Sequence, residues 1–117
     1  MKKIVNIDGK DYTMQSSAYT QFAYKNLTGR SLLKDLQNIV KEVDNIKEDY
    51  SLIDGMTELI LDIAFIMIQE ADDKQVTSKE DFYKSVESVY SDSVWLKDVL
   101  TLAINPLSRQ LQNSIKQ

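Results

Sequence analysis

The N-terminal residues alternate between apolar and polar positions in the manner of a β-strand, reverse direction, and alternate again. Three β-forming residues come first: Ile4, Val5 and Ile7. Asp8-Gly9 is a strong two-residue turn signal, and residues 10–14 return as a second strand. Because a lone hairpin is only marginally stable, we expect this one, over residues 1–15, to lie on helices. Its predicted apolar side chains are Ile4, Tyr12 and Met14.

The pattern then changes to helical spacing. Ser16-Ser17 can cap a first helix, and Thr28-Gly29 ends it because glycine takes the left-handed position at little cost. The residues that recur on one side are Tyr19, Phe22, Ala23, Asn26 and Leu27. Ser31 caps a second helix, which is the clearest amphipathic helix in the chain. Its stripe comprises Leu32, Leu33, Leu36, Ile39, Val40, Val43 and Ile46.

The third helix, from Ser51 or Leu52 to about residue 71, carries apolar residues on every side of its second half. Such a helix is either central in its fold or part of a second interface. Two interpretations stay open: the hairpin and the other helices bury it completely, or part of it binds a partner. The partner-binding candidates are Met56, Leu59, Ile60, Ile63, Phe65 and Met67. Its two methionines would help such a surface adapt to irregular partners.

The C-terminal third predicts two further helices and a short last one. Asp72-Asp73-Lys74 breaks the third helix, and Ser78 to Asp81 resembles a capping box before the fourth. The apolar side of this fourth helix comprises Phe82, Tyr83, Val86, Val89 and Tyr90. Ser91-Asp92-Ser93 starts the fifth helix, and Asn105-Pro106 fits the start of a sixth. The chain is therefore predicted to be α+β and mostly α-helical, a single domain (1–117) with the hairpin on a helical body of five or six helices (17–116).

Composition and charge narrow the possible functions. The 117 residues are 43% hydrophobic and 27% charged, with a net charge of −4 and no local basic patch, so nucleic-acid binding is disfavoured. The absence of Cys and His removes thiol chemistry and the commonest general base and metal ligand. The most apolar segment, residues 59–68, is too short to span a bilayer, and the N-terminus lacks a signal peptide's apolar stretch. We expect a soluble protein of a reducing cytoplasm that is not bound to a membrane.

One arrangement could carry metal chemistry. Asp54, Glu58 and Asp62 recur every four residues, so their carboxylates would line one helical face. Enzymes that use such a face need a second acidic helix opposite, and none is present at comparable spacing. A solvated or hairpin-facing polar stripe is the favoured interpretation. No catalytic, metal or cofactor motif remains, and we expect a non-enzymatic protein.

The N-terminal third contains three segments that can be compared with a known family: the run Lys3 to Met14 with its Gly-Lys-x-Tyr turn, the pair Ala18-Tyr19, and the run Leu27 to Leu33. In these segments the chain resembles the tail assembly chaperones of long-tailed, siphovirus-type phages and prophages of Gram-positive bacteria. Residues 77–104 are similar more loosely. None of these motifs is a catalytic signature.

The resemblance implies a protein that binds the tape measure protein, keeps it soluble and recruits subunits of the major tail tube protein. It also implies a protein that acts in the cytoplasm of the host bacterium and is absent from the mature virion. A longer frameshifted form and self-association are further properties it leaves open. The alternative is a small phage or bacterial adaptor or regulatory protein that acts by protein–protein binding.

Overall fold

A computed structural model describes residues 1–46, 51–86 and 94–107 of the chain. The chain begins with strands β1 (Lys2–Ile7) and β2 (Lys10–Gln15), which pair as an antiparallel hairpin with Ile7 opposite Lys10. The two turn residues, Asp8 and Gly9, both have positive φ, at 54° and 87°. This is the geometry that a two-residue hairpin loop requires and that Asp-Gly supplies at low cost. The predicted hairpin is confirmed.

The helical body follows the predicted order. The helices are α1 (Ala18–Thr28), α2 (Leu32–Ile46), α3 (Ser51–Ala71), α4 (Lys79–Ser85) and α5 (Val94–Ile104), and a 3₁₀ turn occupies Asn105–Leu107. The α+β class with a hairpin and a mostly helical body is thus confirmed. The predicted cap of α5 at 91–93, the positions Val89 and Tyr90, and the part of the sixth helix beyond residue 107 lie outside the described residues.

Side-chain caps fix where the helices begin. The Ser17 hydroxyl accepts a hydrogen bond from the Tyr19 amide at 3.1 Å, and Ser78 accepts one from the Asp81 amide at 3.1 Å. Both serines have extended backbones, as N-cap residues do. The predicted capping box of α4 is only half formed, because the Asp81 carboxylate accepts a hydrogen bond from the Thr77 hydroxyl. α1 ends at Gly29, whose φ of 75° is the left-handed C-cap.

Helix α3 is the centre of the molecule. Residues 60–68 are all buried, and α1, α2, α4, α5 and β2 all pack against the helix. β2 lies on α3 and β1 lies on α5, so the two helices together support one face of the hairpin. The ring of Phe82 in α4 packs edge-on against Tyr12 and also contacts Phe65, with ring centroids 5.7 and 6.3 Å apart. The all-round apolar pattern of α3 therefore reflects a central helix.

The predicted apolar face of the hairpin is wrong at one residue. Ile4 is 63% exposed, whereas Val5 and Ile7 are buried with Tyr12 and Met14. Neighbouring residues of a strand point to opposite faces, and Ile4 pairs with Thr13 on the outer one. The inner face of β1 is consequently formed by the odd-numbered positions.

Candidate interaction surface and buried polar network

Four of the six residues predicted to bind a partner are core residues. Ile60, Ile63, Phe65 and Met67 are all buried by the chain's own helices and hairpin. Leu59 is half-buried, and the side chain of Met56 lies outside the described part. A partner would reach the four buried residues only by displacing a packed element, so residues 58–71 of α3 offer little apolar surface for first contact.

Exposed apolar side chains instead concentrate on α1. Tyr19 is 57% exposed, Phe22 60% and Leu27 41%, and they are three of the five large apolar side chains exposed within the described residues. The rings of Tyr19 and Phe22 contact each other, with centroids 5.8 Å apart. We call Tyr19, Phe22, Ala23 and Leu27 the α1 face. Single exposed apolar residues are ordinary, but a contiguous group of this kind marks an interaction site.

A groove runs along the α1 face where α1 meets α3. Its volume is about 160 Å³, and Tyr19, Ala23 and Leu27 line one side while Ile66, Gln69 and Glu70 line the other. Both oxygens of the Glu70 carboxylate accept hydrogen bonds, from the Ser17 hydroxyl at 2.9 Å and the Thr20 hydroxyl at 2.7 Å. These bonds hold the start of α1 against the end of α3, so the groove has fixed walls. Ridges of apolar side chains beside such a groove are the features that receive a partner helix.

The sequence pattern identified the α1 residues but not their environment. They form one stripe with Asn26, and an apolar stripe predicts the buried face of a helix. α1 buries Thr20 and Tyr24 instead. Asn26 was the available signal, because a polar side chain in the middle of an apolar stripe favours the solvent side.

Asp62 is the centre of a second feature, a buried polar network. Its side chain is 3% exposed within the otherwise apolar run of α3, and it forms a salt bridge with Lys79 at 3.0 Å. The Tyr83 hydroxyl donates a hydrogen bond to the same carboxylate, and an Arg30 nitrogen lies 3.9 Å from it. A buried carboxylate requires such partners. We call these four residues the Asp62 network.

Arg30 extends the network to the junction of α1 and α2. Its guanidinium donates to Asp35 at 3.1 Å, and the Tyr24 hydroxyl donates to the same carboxylate at 2.6 Å. Burial and this hydrogen bond raise the pKa of Tyr24 to about 12. Burial and the bond to Asp62 likewise raise the pKa of Tyr83 well above its ordinary value. These bonds join α4 and the α1–α2 junction to α3, so the arrangement fits a structural link.

The three carboxylates that could have formed a metal site, Asp54, Glu58 and Asp62, do not share one environment in the structure. Glu58 is exposed, Asp62 is buried in its network, and the side chain of Asp54 lies outside the described residues. In the described ranges no three acidic side chains gather as metal ligands would. The polar-stripe interpretation is also wrong for Asp62, which faces Lys79 and Tyr83 of α4 and neither solvent nor the hairpin.

Comparison with known proteins does not assign the chain to a family. No family model matches the chain, and neither the curated proteins nor the solved structures contain a significant match. Among the helices within the described ranges, none combines the length and apolar character needed to cross a bilayer.

Proposed function

We propose that the chain is a tail assembly chaperone of a long-tailed phage or prophage of a Gram-positive host. In this role it binds the tape measure protein, keeps it soluble and recruits tail tube subunits without catalysing a reaction. The observation that carries the proposal is the α1 face, an exposed aromatic and aliphatic ridge beside a groove. The N-terminal segments that resemble this family fold into the hairpin, the two ends of α1 and the start of α2, and they include Tyr19 and Leu27 of this ridge.

A protein that binds a tape measure protein must present apolar surface to it. A tape measure protein is a long chain of apolar helices that aggregates unless its apolar surface is covered. Tyr19, Phe22 and Leu27 provide apolar contact area on a rigid helix, which limits the entropy lost on binding. The net charge of −4 keeps many copies apart and soluble while they coat one tape.

Co-expression with the tape measure protein of the same gene cluster tests the proposal. The wild-type chain should raise the soluble yield of the tape measure protein and co-purify with it. Phe22→Ser should reduce both, since it removes an exposed ring from the α1 face. Lys25→Ser is the matched control, because Lys25 is also exposed on α1 but lies outside the α1 face.

Each outcome has a distinct meaning. An unchanged yield with the wild-type chain refutes the chaperone function. If the α1 face instead captures a host protein and tail assembly is unaffected, the adaptor function replaces it. Equal loss of tape binding in Phe22→Ser and Lys25→Ser would show that the α1 face is not the binding surface.

A further inference from the structure

The two edges of the hairpin differ in how their backbone groups are satisfied. At the outer edge of β2, the Thr13 amide donates to the Gln75 side-chain oxygen at 2.8 Å, and the Gln75 side-chain nitrogen donates to the Thr13 carbonyl at 2.8 Å. The carboxamide of Gln75 thus makes both bonds that a neighbouring strand would make. This edge is closed to further pairing at its centre.

No strand or side chain of the described residues pairs with the outer edge of β1. Met1 and Ser16 exchange backbone hydrogen bonds at 2.7 and 2.8 Å, which fixes the odd-numbered residues of β1 as those that bond to β2. The amides and carbonyls of Lys2, Ile4 and Asn6 therefore point away from the hairpin. No described residue bonds to these backbone groups. A row of unpaired groups on a regular strand is a template for an added strand.

The helix packed beneath β1 restricts which kind of strand can pair with its outer edge. Paired strands lie about 4.8 Å apart, whereas packed helices need 8–10 Å between axes. α5 packs beneath β1, so two copies joined edge to edge would also have to pack their two α5 helices against each other. A single extended segment carries no helix and needs only the strand pairing. The edge therefore suits a strand from another protein better than a second copy of this chain.

The charge and the order of the side chains on β1 indicate which sequence pattern a partner segment would have. Lys3 forms an ion pair with Asp98 at 3.3 Å, but Lys2 has no such partner within the described residues. Lys2 and Ile4 share the outer face, where directly opposed side chains lie about 5 Å apart. In the more stable antiparallel pairing, a segment would place an apolar residue opposite Ile4 and, two residues later, a carboxylate opposite Lys2.

We propose that the outer edge of β1 is an interaction surface that takes up an extended segment of a partner protein as an added antiparallel strand, with the pattern apolar-x-acidic. This surface is separate from the α1 face and does not depend on the tape measure proposal. The lysines at this edge discourage indiscriminate pairing and select an acidic partner. The affinity comes mainly from backbone hydrogen bonds.

A synthetic peptide with blocked ends and the core Thr-Thr-Ile-Thr-Glu tests the proposal on the full-length chain by amide NMR titration up to about 1 mM. We expect the largest shifts at the amides of Lys2, Ile4 and Asn6. N-methylation of the peptide isoleucine, whose amide faces the edge, should weaken binding about tenfold, since it removes a hydrogen bond and adds a clash. N-methylation of the threonine after it, whose amide faces away, is the matched control and should change binding less than about twofold.

Protein variants give an independent check. Ile4→Pro removes one outward amide without touching the bonds to β2 and should abolish peptide binding, while Ile4→Thr keeps that amide and should retain it. Replacing the peptide glutamate by lysine should cost about threefold, and Lys2→Glu should restore it. The proposal is overturned if the three edge amides do not shift, if both methylated peptides bind equally, or if these amides shift with protein concentration alone. Should Ile4→Pro not fold, the peptide pair decides.

Discussion

The Asp62 network gives the most quantitative prediction about stability. Lys79→Met removes the ammonium group that lies 3.0 Å from the Asp62 carboxylate and keeps the aliphatic stem. The carboxylate is 3% exposed and would retain only the Tyr83 hydroxyl and Arg30 at 3.9 Å. The variant therefore leaves a buried charge with a weakened set of partners.

The expected cost follows from burial. Breaking a fully buried ion pair by removing one partner costs about 3–5 kcal/mol, and a hydrogen bond to a charged group contributes about 1.5–3 kcal/mol. The Lys79 side chain is about one-third exposed, so water enters its place and lowers the cost. We expect a loss of about 2 kcal/mol in the free energy of unfolding. At about 4 °C per kcal/mol for a chain of this size, Tm should fall by about 8 °C.

Urea denaturation followed by circular dichroism measures this loss, and the same helix supplies the control. Lys84 pairs with Glu80 at 3.0 Å, but both side chains are about three-quarters exposed, so Lys84→Met should cost less than about 0.5 kcal/mol. In the Asp62→Asn background the charge is absent, and Lys79→Met should then cost little, which reports the coupling between the two residues. Equal losses for Lys79→Met and Lys84→Met would refute the reasoning.

Three further predictions concern the stability contributed by single residues. The pKa of Tyr24 is raised to about 12 in the folded state, so its contribution to the free energy of unfolding is fully present below about pH 10 and should be lost as the pH rises from about 10 to 12. In Tyr24→Phe, the urea midpoint should fall less steeply over this pH range, and an unchanged slope would contradict the prediction. Gly29→Ala should lower the free energy of unfolding by about 1 kcal/mol. The whole loss comes from the left-handed φ, because an added Cβ meets no atom within 4 Å. Gly29→Asn should lose less, and equal decreases in Tm for the two variants would contradict this. Gln75→Ala should lose about 1–2 kcal/mol and accelerate hydrogen exchange at the Thr13 amide, whereas unaltered exchange would show that the edge is not closed by Gln75.

Local chemistry made much of the fold predictable. Asp8-Gly9 could form only a tight turn, Ser17 and Ser78 could cap helices through their own hydroxyls, and Gly29 could end one. Each of these signals acts within four residues of chain. That is why the hairpin and the helix order were predictable from the sequence.

Features that depend on distant residues were not predictable. Helical spacing defines faces but does not say which face meets the core, so it predicts the stripe on α1 and not its exposure. The partners of Asp62 lie 17, 21 and 32 residues away along the chain, at Lys79, Tyr83 and Arg30. The side of the hairpin on which Ile4 lies is not predictable from the sequence, because Ile4 and Val5 are both apolar and only the register with β2 decides between them.

The proposed function requires the chain to hold a tape measure protein in solution through its α1 face. Light-scattering mass on a sizing column, for the chain co-expressed with the tape measure protein of its gene cluster, tests this most directly. We predict a soluble complex with several 13.4 kDa copies per tape, which Phe22→Ser depletes and Lys25→Ser preserves. A chain that elutes at its own mass while the tape measure protein stays insoluble would contradict the account.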